Sequence, residues 1–127
     1  MNIVYEIDGI RLINCTPHEI IFRDNAGNDI RVEKSGYTLP ARAVETSAIQ
    51  YSNGVTLVAT MFCPTEQGQQ EIEMLESLYP NADIFVGSII SAQAYPGQVC
   101  ALVPTPDTVR AAPADKRYLA NKFTIYE

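Results

Sequence analysis

The chain has 127 residues, a formal net charge of −6 and 46% hydrophobic residues, the proportions of one soluble domain with room for a real core. No apolar run approaches the roughly 18–20 residues that cross a bilayer, and the first residues lack the basic and apolar regions of a secretory signal, so no membrane partner is expected and the cytoplasm is the expected compartment. An acidic chain also lacks the basic face that binding a DNA or RNA polymer requires.

Residues 2–7 and 10–14 read as short strands joined by the turn pair Asp8-Gly9. Asn14-Cys15-Thr16-Pro17-His18 is polar punctuation, with Pro17 fixing its own φ and extending Thr16. Residues 19–23 and 29–33 form a second hairpin turned by Asn25–Asn28, and Ile30 and Val32 alternate with polar residues as a half-buried strand should. After Ser35-Gly36-Tyr37 and Pro40, residues 42–51 and 55–62 flank Asn53-Gly54, a strong hairpin signal because both residues tolerate positive φ. The second of these strands, VTLVATMF, is almost continuously apolar and is expected at the centre of a sheet, covered on both faces.

A helix is expected from Glu66 to Tyr79, N-capped by Thr65, with Ile72, Leu75, Leu78 and Tyr79 as its apolar stripe and Glu71, Glu73 and Glu76 toward water. Ile84–Val86 and Val99–Val103 read as buried strands around a short helix, Ser88–Tyr95. Residues 104–117, rich in Pro and Ala, read as a long loop of the kind that is functional or mobile, and residues 118–126 as a closing edge strand. The expected fold class is α+β: an antiparallel meander in a single domain, with one longer surface helix and one short helix.

No catalytic or metal motif is complete. Cys15, Cys63 and Cys100 are far apart and odd in number, so they match neither a disulfide framework nor a zinc site, and Cys63 and Cys100 read as small buried hydrophobes. His18 lacks an evident orienting partner and nucleophile, so it reads as structural rather than as a general base. Neither a cofactor nor a metal ion is expected. What remains is binding chemistry. All nine Lys and Arg residues lie in Arg11–Arg42 or Arg110–Lys122, and a fold that joins those stretches would make one cationic patch suited to a small anion. Arg110 and Arg117 are candidates for bidentate phosphate contacts. Phe85, Tyr37, Tyr95 and Tyr118 are candidates to stack on a base, with core packing as the alternative for Phe85 in its core-like strand, and Ser91 and Asp107 are candidates to read ribose hydroxyls or base edges. The Ser88 handover from strand to helix and the loop from Thr105 to Arg117 are where a ligand is expected.

Several segments together resemble a phage family. They are Asn14-Cys15-Thr16-Pro17-His18, Ser35-Gly36, Ala41-Arg42, Val58-Ala59-Thr60, Phe85-Val86-Gly87-Ser88 with Ile89–Ala94, and Leu102-Val103-Pro104 with Val109-Arg110. In this order they look like the phage anti-defence proteins that act against Thoeris immunity, type one. The resemblance implies a nucleotide sponge in the host cytoplasm, which binds a cyclic ADP-ribose isomer, in some members cyclic oligonucleotides, and holds it without cleavage. It implies homo-oligomers, dimers that can build hexamers, with the ligand between subunits. It further implies that Arg42, Phe85, Ser88 and Arg110 line the site, with Arg117 beside them. Two features depart from the pattern: the helix Glu66–Tyr79 replaces a shorter connection, and the loop before Arg117 lacks the family's Arg-Asp-x-x-Gly. The rival readings are a protein-binding inhibitor acting through the acidic helix face and a nucleotide-degrading enzyme using His18.

Overall fold

The computed structural model describes Asn2–Glu127. Its elements are β1 (Val4–Ile7), β2 (Ile10–Asn14), β3 (Ile20–Arg23), β4 (Asp29–Val32), β5 (Ala41–Gln50), β6 (Thr56–Pro64), α1 (Glu66–Leu78), β7 (Ile84–Val86), α2 (Ile89–Ala94), β8 (Val99–Pro104) and β9 (Tyr118–Thr124). A 3-10 turn at Pro113–Asp115 interrupts the connection before β9. The α+β class, the longer helix and the short one are as expected.

The sheet is not the expected antiparallel meander. Seven strands run in the order β1-β2-β7-β8-β9-β3-β4. β2, β7 and β8 are mutually parallel, β9 is antiparallel to β8, and β9 is parallel to β3. Strands close in sequence form hairpins, as the turn signals implied, but β1–β2 and β3–β4 are then placed by distant partners, β7 and β9, that local patterns do not name. Parallel neighbours need a crossover, and α2 supplies the one between β7 and β8. β9 is correspondingly an interior strand between β8 and β3, not the expected edge strand.

Alternation along the strands sends side chains to two cores. Ile13, Phe85, Val99 and Ala101 face one side, where Ile72 and Leu75 of α1 and Ala92 and Tyr95 of the α2 segment cover them. Leu12, Val86, Phe22, Val32 and Ala120 face the other side. That second core contains residues of β1 and β4, the two ends of the strand order. The sheet is therefore curled on itself. Asn25 N–H donates to Asp8 Oδ2 at 2.8 Å, joining the two hairpin turns across the gap.

α1 begins where the Thr65 side chain accepts from Gly68 N–H at 2.9 Å, and it buries Ile72 and Leu75. Leu78 is exposed, and helix geometry ends at that residue rather than at Tyr79. Gly68 is required by packing. A Cβ there would sit 1.7 Å from the Tyr95 hydroxyl oxygen, and that hydroxyl donates to Pro40 O (2.6 Å) and accepts from Thr65 N–H (3.1 Å).

β5 and β6 form a separate two-stranded ribbon. The expectation that VTLVATMF is a covered central strand is overturned: β6 pairs only with β5, and Thr56–Met61 are exposed. An apolar run reads as a buried strand only if the chain itself covers it, and here the chain does not. At the foot of the ribbon Ala41 and Phe62 pack against the first core. Of the cysteines, Cys15 is the buried one, whereas Cys63 and Cys100 are only partly buried, and all three are free thiols.

Candidate functional site

The C-terminal ends of the parallel strands β2, β7 and β8 lie side by side, and β3 and β9 begin at the same end of the sheet. A cleft of about 1010 Å³ opens there. Thr16, Pro17 and His18 follow β2, Gly87 and Ser88 follow β7, Leu102 and Pro104 close β8, and Lys116, Arg117 and Tyr118 lead into β9. Arg31 reaches it from β4.

The wall carrying His18 is built by Asn14, which is wholly buried. Its Nδ2 donates to His18 O (2.7 Å) and Val32 O (3.3 Å), and its Oδ1 accepts from Thr16 N–H (2.9 Å) and Thr16 Oγ1–H (2.6 Å). One amide thus satisfies all its bonding capacity while it fixes the Thr-Pro-His turn to β4. The opposite wall is the β7–α2 handover. Ser88 Oγ accepts from Ser91 N–H at 3.1 Å and caps α2. A Cβ at Gly87 would lie 2.7 Å from Val99 Cγ1, so only glycine lets β7 approach β8 this closely.

The floor near β9 is stapled. Thr105 and Thr108 hydroxyls bond at 2.6 Å, Thr105 N–H donates to Arg117 O at 2.8 Å, and Arg117 N–H donates to Thr108 Oγ1 at 3.0 Å. The connection expected to be a functional or mobile loop is closed at its neck by these bonds, and its Pro113, Ala114, Lys116 and Arg117 line the cleft.

Charge in the cleft is positive on an acidic protein. Arg31, Lys116 and Arg117 line it against a single carboxylate, Glu19. Arg31 Nη1 lies 2.7 Å from Glu19 Oε1, and Arg117 Nε donates to Asp29 Oδ2 at 3.0 Å. Lys116 makes no ion pair among the described residues. His18 is exposed at the rim. Tyr118, half-buried, offers an aromatic surface in the same cleft.

Of the residues expected at the site, Ser88 and Arg117 come together here, and Tyr118 with them. The others are used elsewhere. Phe85 is 7% exposed in the first core, without a free ring face for stacking. Ser91 is buried and donates to Leu39 O at 2.7 Å, which ties α2 to the segment before β5. Thr105 is buried as part of the neck. Asp107 accepts from Arg23 Nη1 at 2.8 and 2.9 Å, and that bond holds its carboxyl below the usual carboxylate range. Tyr95 is a buried latch, and Tyr37 packs against the core.

Arg42 at the ribbon's foot and exposed Arg110 in the connection before the 3-10 turn are outside the cleft lining. The cationic region therefore forms from Arg31, Lys116 and Arg117, not from Arg42 and Arg110. Arg31 and Lys116 were not singled out from the sequence, because their pairing through β4, β3 and β9 has no local signal. Cys15 is unsuited to nucleophilic work beside His18. Burial pushes its thiol up to about 12, with a Ser35 hydrogen bond opposing and the charge of Glu71 adding to the rise, so it stays protonated at neutral pH.

Comparison with family models, curated proteins and solved structures returned no match. No group of three or more metal-ligating side chains occurs among the described residues, and no helix there is long and apolar enough to cross a membrane.

Proposed function

We propose that the protein is a phage anti-defence sponge: it binds a cyclic nucleotide immune signal in the cleft at the strand ends and sequesters it without cleavage, as a homo-oligomer in the host cytoplasm. The observation that carries this reading is the location of a net-positive cleft with an aromatic wall at the carboxyl ends of β2, β7 and β8, on a chain of net charge −6. Its volume suits a compact dianionic ligand such as a cyclic ADP-ribose isomer, since ligand clefts usually run to about 300–1,000 Å³. Lys116, Arg117 and Arg31 would take phosphate oxygens, Tyr118 would lie against a base or ribose, and Ser88 and His18 would supply rim hydrogen bonds. The resemblance in sequence to Thoeris anti-defence proteins points the same way, although the cleft recruits a different set of basic residues from those it implied.

A stoichiometric sponge needs affinity near nanomolar, about −12 kcal/mol. Charge-assisted bonds inside a partly desolvated cleft are the means by which a small ligand approaches that figure. The test is to incubate purified protein with the TIR-generated signal, remove free nucleotide, heat-denature, and identify the released molecule by mass spectrometry. Intact ligand is the expected result. A cleaved product would instead make the protein an enzyme, and an undepleted signal would make it a binder of a host protein.

A further inference from the structure

We propose that Asn53, at the tip of the β5–β6 ribbon, is a self-modification site: the Gly54 amide nitrogen attacks its side chain, and the asparagine becomes aspartate or isoaspartate without an enzyme. The inference goes beyond the reading above and is independent of what occupies the cleft.

Of the chain's asparagines, Asn53 alone is followed by glycine. Every other successor carries a Cβ that crowds its own amide nitrogen, and Gly54 carries none. The tip loop is Ser52-Asn53-Gly54, closed by Tyr51 N–H donating to Val55 O at 2.8 Å. Gly54 takes φ +92° and its N–H donates to Tyr51 O at 3.1 Å, the pattern of a three-residue hairpin loop ending in a left-handed glycine. Val55 N–H donates to Asn53 Oδ1 at 3.0 Å. That bond folds the side chain back over the Gly54 peptide and draws electron density from Cγ, the atom to be attacked. The opposing restraint is the bond from Gly54 N–H to Tyr51 O, which holds the nucleophile's proton. Little else reinforces it. Residues 51–60 are all exposed and the ribbon pairs with no further strand. An isolated two-stranded ribbon is marginal in water at best, so the tip opens without disturbing either core. Asn14 is the opposite case, buried with its amide fully bonded.

The step balances without a cofactor. Hydroxide removes the Gly54 N–H proton, the nitrogen bonds to Asn53 Cγ, and the Cγ–Nδ2 bond breaks as Nδ2 takes up a proton and leaves as ammonia. The succinimide ring so formed takes up one water. Opening at one carbonyl gives aspartate; opening at the other gives isoaspartate, in which the main chain runs through the former side chain. Overall a water is consumed and an ammonia released, and nothing is oxidised or reduced. Between Glu45 and Glu66 the chain carries no charged residue, so either product places the first carboxylate there. Isoaspartate also inserts a methylene into the main chain of a three-residue loop. Gly54 N–H is thereby pulled away from Tyr51 O, and the ribbon tip loosens while both cores stay as they are.

The folded full chain is incubated for days at pH 8 and in parallel at pH 6, digested under acid, and mapped by mass spectrometry with electron-transfer fragmentation, which distinguishes aspartate from isoaspartate. Most of the Asn53 amide is expected to be lost at pH 8 while the other asparagines are retained, and the rate at pH 6 is expected to be lower in proportion to hydroxide. Hydrogen exchange of the converted protein is expected to quicken at the Tyr51 and Gly54 amides, with the cores unchanged. Asn53→Gln, whose longer side chain must close a larger ring, is expected to abolish the loss, with circular dichroism as its folding control. Should that variant misfold, the wild-type map decides by itself. Retention of Asn53 in the folded chain while the urea-unfolded chain loses it would mean that the turn protects it, and overturns the proposal. Earlier loss at any other asparagine, or a rate that does not change with pH, overturns it as well.

Discussion

At the residue scale, the polar groups that look available for chemistry are mostly spent on holding the fold. Asn14 is the clearest case, with two donated and two accepted bonds from a side chain with no exposed surface. Asn14→Ala removes the acceptor of Thr16 N–H and the amide donor to the His18 and Val32 carbonyls, leaving His18 O only its bond from the Thr16 hydroxyl. A buried unpaired polar group costs about 1–3 kcal/mol, so the substitution is expected to lower unfolding free energy by about 2–3 kcal/mol in urea titration, with loss of the His18 wall of the cleft. Cys15 makes a different prediction. Its folded value of about 12 stands above the ordinary 9.0. The stability this confers is fully present below pH 9, and it falls as pH rises from there through about 12, because only the unfolded chain readily becomes a thiolate. Native protein at pH 8 should be alkylated at Cys63 and spared at Cys15 when digested and mapped by mass spectrometry; rapid native modification of Cys15 would contradict its burial. The motif around Asn14 was legible as punctuation, yet its tie to Val32 O was not, since that partner is settled only when β4 arrives.

At the element scale, helices and turns were readable and strand partners were not. Thr65 caps α1 and Ile72 and Leu75 face inward, because a helix satisfies its own hydrogen bonds and needs only a periodic apolar stripe. Gly54 at the ribbon tip takes φ +92°, as the Asn-Gly signal demands. Gly68 carried no such signal, although its missing Cβ is what lets Tyr95 lock α1 to Pro40. Gly68→Ala is expected to cost about 2–3 kcal/mol through overpacking, read as a lower urea midpoint with unchanged slope. In β6 the apolar run was misleading: VTLVATMF shares its composition with a central parallel strand, and composition alone does not reveal whether a covering layer exists.

At the scale of the whole molecule, the cleft is a product of topology. It exists because β2, β7 and β8 end together while β3 and β9 begin there, which puts Lys116 and Arg31 in one place from positions 85 residues apart (116 − 31). Lys116→Glu reverses the one cleft cation with no ion pair among the described residues. It is expected to weaken nucleotide binding at least tenfold, about 1.4 kcal/mol, in isothermal titration, with the melting temperature unchanged. Arg110→Glu, outside the cleft lining of one chain, is expected to leave affinity unchanged. A large loss there would mean that a neighbouring subunit completes the site.

The sequence by itself determined the local pieces: the α+β class, both helices and three hairpin turns. These follow from propensity, periodicity and composition, which act within a few residues. Only the tertiary structure decided that the sheet is mixed and curled, that Ser91 and Thr105 are interior, that Asp107 belongs to Arg23, and that the ribbon stands uncovered. Each depends on which distant strands meet, and that is fixed by burial summed over the whole chain rather than by any one stretch of it.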